Sequence, residues 1–427
     1  MHKPRLRGVI VSVVFPITSL FGCGGGGDTG SPIPLWVPTD VLVSDVNGDG
    51  RNDVVTLAMF KPAGYGTDEG HFFVYLQTVT PGVFEAPVDY SVGLYPWHGA
   101  LADIDGDGRP DLVVGDPGAR TVWLVRQDDT QPGRFLAGEA LITGVSGVTA
   151  YTAVIADLNG DGAPDVATKE SHCDSTPSGI VIRYQDPVVR GTFGPPTRLS
   201  LPAIPTEIAA GDLDGDGLDD LLMTVRDGCP PGFALWNAGY VVAYQKAGGG
   251  FDVSGPHAMQ PSACNVRRLA IADINADGRQ DFFAFETPSF SACTSRLAAV
   301  LQTSTPRSFA APVFTSLASI EGDDDAVLSD LNQDTFPDAA LAGFWPESGG
   351  PYGAPIVRSR VNRMTNNGAG TFALSGFTDL AFDVSRLGAG DLNGDGANDL
   401  VLLGDDARAT VMFQSSPGVF RPPRDLY

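Results

Sequence analysis

Along most of the chain, short apolar runs alternate with tight polar clusters. Val41-Leu42-Val43, Val54-Val55-Thr56-Leu57, Leu112-Val113-Val114 and Val122-Trp123-Leu124-Val125 are β-branched-rich and too short for an amphipathic helix. Each predicts a buried strand. The polar clusters between them are copies of one another. They read DVNGDGRND (Asp45 to Asp53), DIDGDGRPD (Asp103 to Asp111), DLNGDGAPD (Asp157 to Asp165) and DLDGDGLDD (Asp212 to Asp220), followed by DINADGRQD (Asp273 to Asp281), DLNQDTFPD (Asp330 to Asp338) and DLNGDGAND (Asp391 to Asp399). Successive copies start 58, 54, 55, 61, 57 and 61 residues apart, so the chain carries seven repeats of one unit.

Each position of the nine-residue cluster has a physical reading. Positions 1, 3, 5 and 9 are always Asp or Asn, and position 6 is Gly in six of seven copies. Short oxygen side chains at alternate positions, folded by a glycine turn, suit a hard cation of calcium size. Position 7 varies freely, as expected if only its carbonyl is a ligand. The candidate ligand sets are therefore Asp45, Asn47, Asp49, Arg51 and Asp53 in the first loop, and Asp103, Asp105, Asp107, Arg109 and Asp111 in the second. The third has Asp157, Asn159, Asp161, Ala163 and Asp165, and the fourth Asp212, Asp214, Asp216, Leu218 and Asp220. The fifth has Asp273, Asn275, Asp277, Arg279 and Asp281. The sixth has Asp330, Asn332, Asp334, Phe336 and Asp338, and the seventh Asp391, Asn393, Asp395, Ala397 and Asp399. Position 2 is always aliphatic, which predicts a plug into the core beneath the loop.

An EF-hand shares the opening of this pattern but needs a bidentate Glu at position 12 and flanking helices. Position 12 here is Thr56, Val114, Thr168, Met223, Ala284, Leu341 and Leu402, none acidic. Asx-turns without metal would explain the turn residues, but leave three or four crowded carboxylates per loop unneutralised.

The residue before each loop is small (Ser44, Ala102, Ala156, Gly211, Ala272, Ser329, Gly390), as suits strands crowded around an axis. After two further strands comes a Phe-containing segment, around Phe84, Phe135, Phe193, Phe251, Phe309, Phe372 and Phe420. Four strands per unit and seven units predict an all-β, seven-bladed β-propeller of four-stranded antiparallel blades over residues 35–427, with a calcium loop in each blade. An open solenoid would need atypical terminal repeats, yet the first and last loops are among the best formed. Loop six, with Gln333 at position 4 and Thr335 at position 6, is expected to be the weakest site.

Charge agrees with this assignment. The formal net charge is −24, from 51 acidic against 27 basic residues, which disfavours nucleic acid and anionic lipid as partners. Seven Ca²⁺ would add fourteen positive charges and leave −10. Gly and Pro make up about a fifth of the chain, as many short turns require.

The first 23 residues read as a leader. Lys3, Arg5 and Arg7 precede an apolar run, Gly8 to Phe21, that is too short to span a bilayer. The closing Leu20-Phe21-Gly22-Cys23 resembles the bacterial lipoprotein lipobox, which implies lipidation at Cys23, a Gly-rich tether over 24–34, and an exported protein at the outer membrane or cell surface. Four cysteines remain, Cys173, Cys229, Cys264 and Cys293, and suggest two disulfides among three possible pairings. Their repeat positions favour Cys173–Cys229 and Cys264–Cys293.

With the loops and the Phe segments in hand, the units resemble the FG-GAP/VCBS repeats of integrin α-chain propellers and of bacterial surface proteins. The resemblance implies Ca²⁺ in the loop joining the first two strands of each blade. Recognition is expected on the opposite face, where aromatic-bearing loops carry Tyr65, Phe233, Trp236, Phe290, Phe344, Trp345 and Tyr352. The sequence shows no GxSxG, HExxH, P-loop or dinucleotide fingerprint. His71, His98, His172 and His257 sit in unrelated contexts. The expectation is thus a monomeric, non-enzymatic, calcium-stabilised surface module that binds a protein or glycan. The alternative is a carbohydrate-active enzyme, a polysaccharide lyase or hydrolase, on the same scaffold.

Overall fold

A computed structural model describes residues 11–13, 35–62, 67–143, 145, 148–172, 177–226, 238–259, 264–288, 294–317, 325–347, 356–404 and 407–427. Among these, every regular element is a strand, and no helix is long and apolar enough to cross a membrane. The predicted leader cysteine, the tether and most of the aromatic-bearing loops lie outside the described residues, as do Cys173, Cys229 and Cys293.

Seven antiparallel sheets follow one another along the chain. Blade one runs Leu35–Ser44, Asp53–Lys61, Glu69–Tyr75 and Val88–Ser91, from innermost to outermost strand. The inner strands of blades two to seven are His98–Ala102, Val148–Ala156, Ile204–Gly211, Cys264–Ala272, Asp325–Ser329 and Val384–Gly390. Each inner strand packs against the next, and that of blade seven packs against that of blade one, so the ring is closed. Leu35 to Pro38 pair with Ala58 to Lys61 of their own blade, which makes every blade continuous in sequence. One further strand, Val11–Val13, pairs with the inner strand of blade five, with Val13 opposite Arg268.

The core is divided in the same way. Seven clusters of buried apolar side chains each straddle one pair of adjacent blades, including Val41, Val54 and Phe84 of blade one against Leu392, Val401 and Phe413 of blade seven. The position-2 residues Val46, Ile104, Leu158, Leu213, Ile274, Leu331 and Leu392 are all buried, each in the interface with the following blade. Burying each such side chain contributes about 1.5–3 kcal/mol. The small residues before the loops are explained by proximity. A Cβ on Gly390 would lie 2.6 Å from Cγ1 of Val43 in the neighbouring blade.

The Phe segments depart from expectation in five blades. Phe251 and Phe372 begin outer strands, but Phe84, Phe193 and Phe309 form isolated bridges to Gln77, Gln185 and Gln302, and Phe135 and Phe420 lie in small side hairpins. The outer strands there start only after the Phe.

A side-chain amide joins most neighbouring blades. Nε2 of Gln77 donates to the Leu392 carbonyl (2.9 Å), Gln127 to Val46 (2.7 Å), Gln245 to Asp157 (3.2 Å) and Gln414 to Leu331 (2.9 Å). Gln302 reaches the Leu213 carbonyl, and Nδ2 of Asn366 reaches Ile274 (2.8 Å). All the acceptors are the first or second residue of the preceding blade's Asp loop. Replacing Gln127 with Ala strands the Val46 and Pro110 carbonyls that its amide serves. The expected cost is about 1–3 kcal/mol, read as a lower urea midpoint at unchanged m-value. The exposed Gln131→Ala is the control and is expected to be neutral.

Candidate functional site

The seven Asp loops lie at one end of the inner strands. In the first loop, Oδ1 of Asp45 accepts the N–H of Gly48 (2.8 Å) and of Asp49 (3.1 Å), and Oδ2 accepts that of Gly50 (2.8 Å). Asn47 Oδ1 accepts from Asp49 N (3.0 Å) and Asp49 Oδ1 from Arg51 N (3.0 Å). The other loops follow closely, as in Asp391 accepting from Gly394, Asp395 and Gly396. These bonds curl the chain so that side chains 1, 3 and 5 face one point. In loops two and four, Asp103, Asp105 and Asp107, and Asp212, Asp214 and Asp216, bring carboxylate oxygens within 4.8 Å of one another. The other five loops carry Asn at position 3, which supplies a neutral oxygen. An all-oxygen donor set of this kind fits Ca²⁺.

Two features were not read from the sequence. Position 4 takes left-handed backbone as well as position 6, at φ 76 for Gly48 beside 83 for Gly50. Ala276 (φ 56) and Gln333 (φ 63) hold position 4 in loops five and six, and Thr335 (φ 77) holds position 6 in loop six. Thr is strained there, as expected. The arginines at position 7 also fold back, and Arg51, Arg109 and Arg279 pair with Asp49, Asp107 and Asp277.

Position 9 is buried beneath the loop. Oδ2 of Asp53 accepts the Val46 N–H (2.9 Å) and Oδ1 accepts the Gln77 N–H (2.7 Å). The same pair of bonds recurs at Asp111, Asp165, Asp220, Asp281, Asp338 and Asp399. Burial, only partly offset by these bonds, pushes the seven carboxyls up, to about 6 for Asp53 and about 7 for Asp165 and Asp220.

A second cluster lies on the axis, roughly 16 Å along the strands from the loops. The residue five places before each loop is Asp40, His98, Thr152, Glu207, Arg268, Asp325 or Arg386, all buried. The next residue is apolar or Gly in every blade (Val41, Gly99, Ala153, Ile208, Leu269, Ala326, Leu387), so strand alternation turns the polar set toward the axis. Arg268 makes a two-pronged ion pair with Asp325, which also accepts the N–H of Leu387 (2.8 Å) and of Ala326 (2.7 Å). Asp40 accepts from Val41 N and Gly99 N, both at 3.0 Å. Arg386 Nε donates to the Thr39 carbonyl (2.6 Å). Lys169, on the second strand of blade three, stands 3.8 Å from Glu207. Burial pushes Asp40 up to about 6 and Glu207 up to about 8, and holds Lys169 below its usual range.

Aromatic rings border this cluster. Tyr95 stacks on Trp97 at 5.3 Å, Trp97 meets Tyr151 edge-on at 5.8 Å, and Lys169 Nζ lies 5.4 Å from the centre of the Tyr151 ring. Among the histidines, His98 alone belongs to the axial set. The signal was present in the sequence, since one repeat position is polar in all seven units, but no pairwise motif reveals it.

The model of the FG-GAP-like repeat matches residues 45–114 and 103–168. No curated protein sequence is similar to the chain. Among solved structures, rhamnogalacturonan lyase YesW aligns at 13% identity over 94% of this chain and 74% of its own, with a TM-score of 0.48. A Bacillus licheniformis rhamnogalacturonan lyase aligns at 12% over 88% and 71%, with a TM-score of 0.45. The exotype rhamnogalacturonan lyase YesX aligns at 14% over 93% and 74%, with a TM-score of 0.46. The expectation of a non-enzymatic module is corrected: the three structures named are rhamnogalacturonan lyases, and a missing motif excludes no activity.

The axial ion pair is open to a double-mutant cycle. Asp325→Ala leaves Arg268 buried without its carboxylate and is expected to cost about 3–5 kcal/mol, whereas Arg268→Met with Asp325→Leu recovers much of it. A single-mutant loss of only about 0–1 kcal/mol in urea unfolding, as for an exposed pair, would show that water reaches the axis. Seven repeats with one loop geometry, in seven blades closed into a ring, make the chain a seven-bladed β-propeller, in which residues 45–168 match the FG-GAP-like repeat.

Proposed function

We propose that this propeller is a calcium-loaded, carbohydrate-active enzyme, with Ca²⁺ in the Asp loops and the polysaccharide engaged at the opposite end of the axis. The observation that carries this reading is the axial cluster. It combines aromatic faces (Tyr95, Trp97, Tyr151) with carboxyl, imidazole and ammonium groups in one place. Aromatic surfaces with a few convergent polar groups are a common form of ligand site. Carboxyls whose pKa values burial has raised are suited to donate a proton near neutral pH, which places Glu207 and Asp40 as general-acid candidates.

The calcium assignment rests on the donor set and on the charge it neutralises. Elemental analysis after dialysis at millimolar calcium is expected to return six or seven ions per chain, with affinities of about 10⁻⁴–10⁻³ M. Zero to two ions would reduce the loops to turns. The enzyme reading is tested by incubating the calcium-loaded protein with a panel of acidic and neutral polysaccharides and assaying unsaturated and reducing ends. Turnover of at least one polymer, lost in Glu207→Gln, is the expected result. Binding without turnover across the panel would leave a recognition module and overturn the reading.

A further inference from the structure

Two places before the Phe of each blade stands a residue with left-handed backbone. In six blades it is glycine (Gly82, Gly133, Gly191, Gly249, Gly370 and Gly418), with φ from 70 to 98. In blade five it is Arg307, at φ 61. Left-handed backbone is unfavourable for any residue with a Cβ, so a long side chain kept there directs attention to what it touches. The turn lies over position 3 of the preceding blade's Asp loop. A Cβ on Gly133 would lie 3.3 Å from Cβ of Asn47, and one on Gly418 would lie 3.9 Å from Cβ of Asn332. Blade five therefore aims a guanidinium at position 3 of loop four.

That position is Asp214. Arg307 Nε donates to its Oδ2 at 2.7 Å, and the Asp214 side chain is only 4% exposed. The guanidinium also lies 4.5 Å from the centre of the Tyr244 ring and 3.6 Å from Asp252. Loop four is the most acidic copy, with five aspartates in nine residues. Its position 7 is Leu218, where loops one, two and five hold Arg51, Arg109 and Arg279 against their own carboxylates. Its counter-charge comes instead from the next blade. Loop two also has Asp at position 3, but Asp105 makes no ion pair among the described residues. Asp214 does not depend on Arg307 for its orientation. Its Oδ1 accepts the Asp216 N–H at 3.2 Å, as Oδ1 of Asn47 accepts that of Asp49 in loop one. What Arg307 adds is charge.

We propose that Arg307 is a built-in counter-cation, supplied by blade five, that lowers the calcium affinity of loop four. This rests on the calcium reading above and adds to it a residue outside the loop. Ligand charge count alone would make loop four the tightest of the seven sites. With Oδ2 of Asp214 held by Arg307, Oδ1 is left for an ion, and two cations on one carboxylate repel each other. Without calcium, the same contact offsets the crowding of the aspartates and ties loop four to the neighbouring blade.

The experiment is calorimetric titration of calcium into the chelator-treated full chain, with Asp216→Ala, an exposed ligand, marking the loop-four component of the isotherm. Arg307→Gly installs the residue of the other six blades and is expected to fold. It is expected to tighten the loop-four component about tenfold at low salt, with a smaller gain at about 0.5 M KCl. Arg307→Gln, which keeps a side chain without charge, is expected to match Arg307→Gly, and Arg307→Lys to match the unaltered chain. In the Asp216→Ala background Arg307→Gly is expected to change nothing. An unchanged or weakened loop-four component in Arg307→Gly, or a gain that Arg307→Gln does not reproduce, would overturn the counter-cation and leave the calcium reading standing. A gain that persists with Asp216→Ala, or an Asp216→Ala isotherm identical to that of the unaltered chain, would do the same. No calcium uptake by the unaltered chain well above about 10⁻³ M would sink both readings.

Discussion

The structure depends on one carboxylate per blade, the last aspartate of each loop. In blade one, Asp53 reaches back to the second residue of the loop through the Val46 N–H and across to the end of the third strand through the N–H of Gln77, two residues beyond it. One side chain thus closes the turn and sets the register of two strands. The Gln77 amide then reaches the Leu392 carbonyl of the adjacent blade, so a local turn is wired to the ring. The aspartate bonds recur in the other six blades, and in five of these a Gln or Asn amide also crosses to the preceding blade. The loop is therefore part of the blade interface as well as a candidate cation site.

Much of this was legible before any coordinates. Spacing and the nine-residue pattern specified the blade count, the strand-loop-strand order and the buried position-2 plugs, because each depends on local chemistry repeated seven times. The amide relay was not legible. Gln77, Gln127 and Gln302 lie some twenty residues beyond their loops, at variable offsets, and their acceptors belong to another blade. The axial set failed for a different reason. Its residues share a position but not a type, so His98 and Glu207 look incidental until seven strands are brought together. The Phe segments misled mildly, since a buried aromatic next to a glycine turn suits the start of a strand and a side hairpin equally well.

The two sites follow opposite rules. The loops are uniform, and their uniformity is what a repeated scaffold needs. The axis holds three carboxyls, two guanidiniums, one imidazole and one hydroxyl at equivalent places. Duplicated units that keep the loop and diverge at one inward position give a symmetric frame an asymmetric axis. Chemistry that must tell one end of a ligand from the other needs such asymmetry.

The closure between blades seven and one has a topological consequence. No strand is shared across that seam, and it is held as most of the others are, by an apolar cluster and a side-chain amide, that of Gln77, with Asn52 Nδ2 also donating to the Asp391 carbonyl at 2.9 Å. The ring therefore has no privileged starting blade. Its curvature is set by how seven similar wedges fill a circle, and the polypeptide is one of several equivalent ways to thread them.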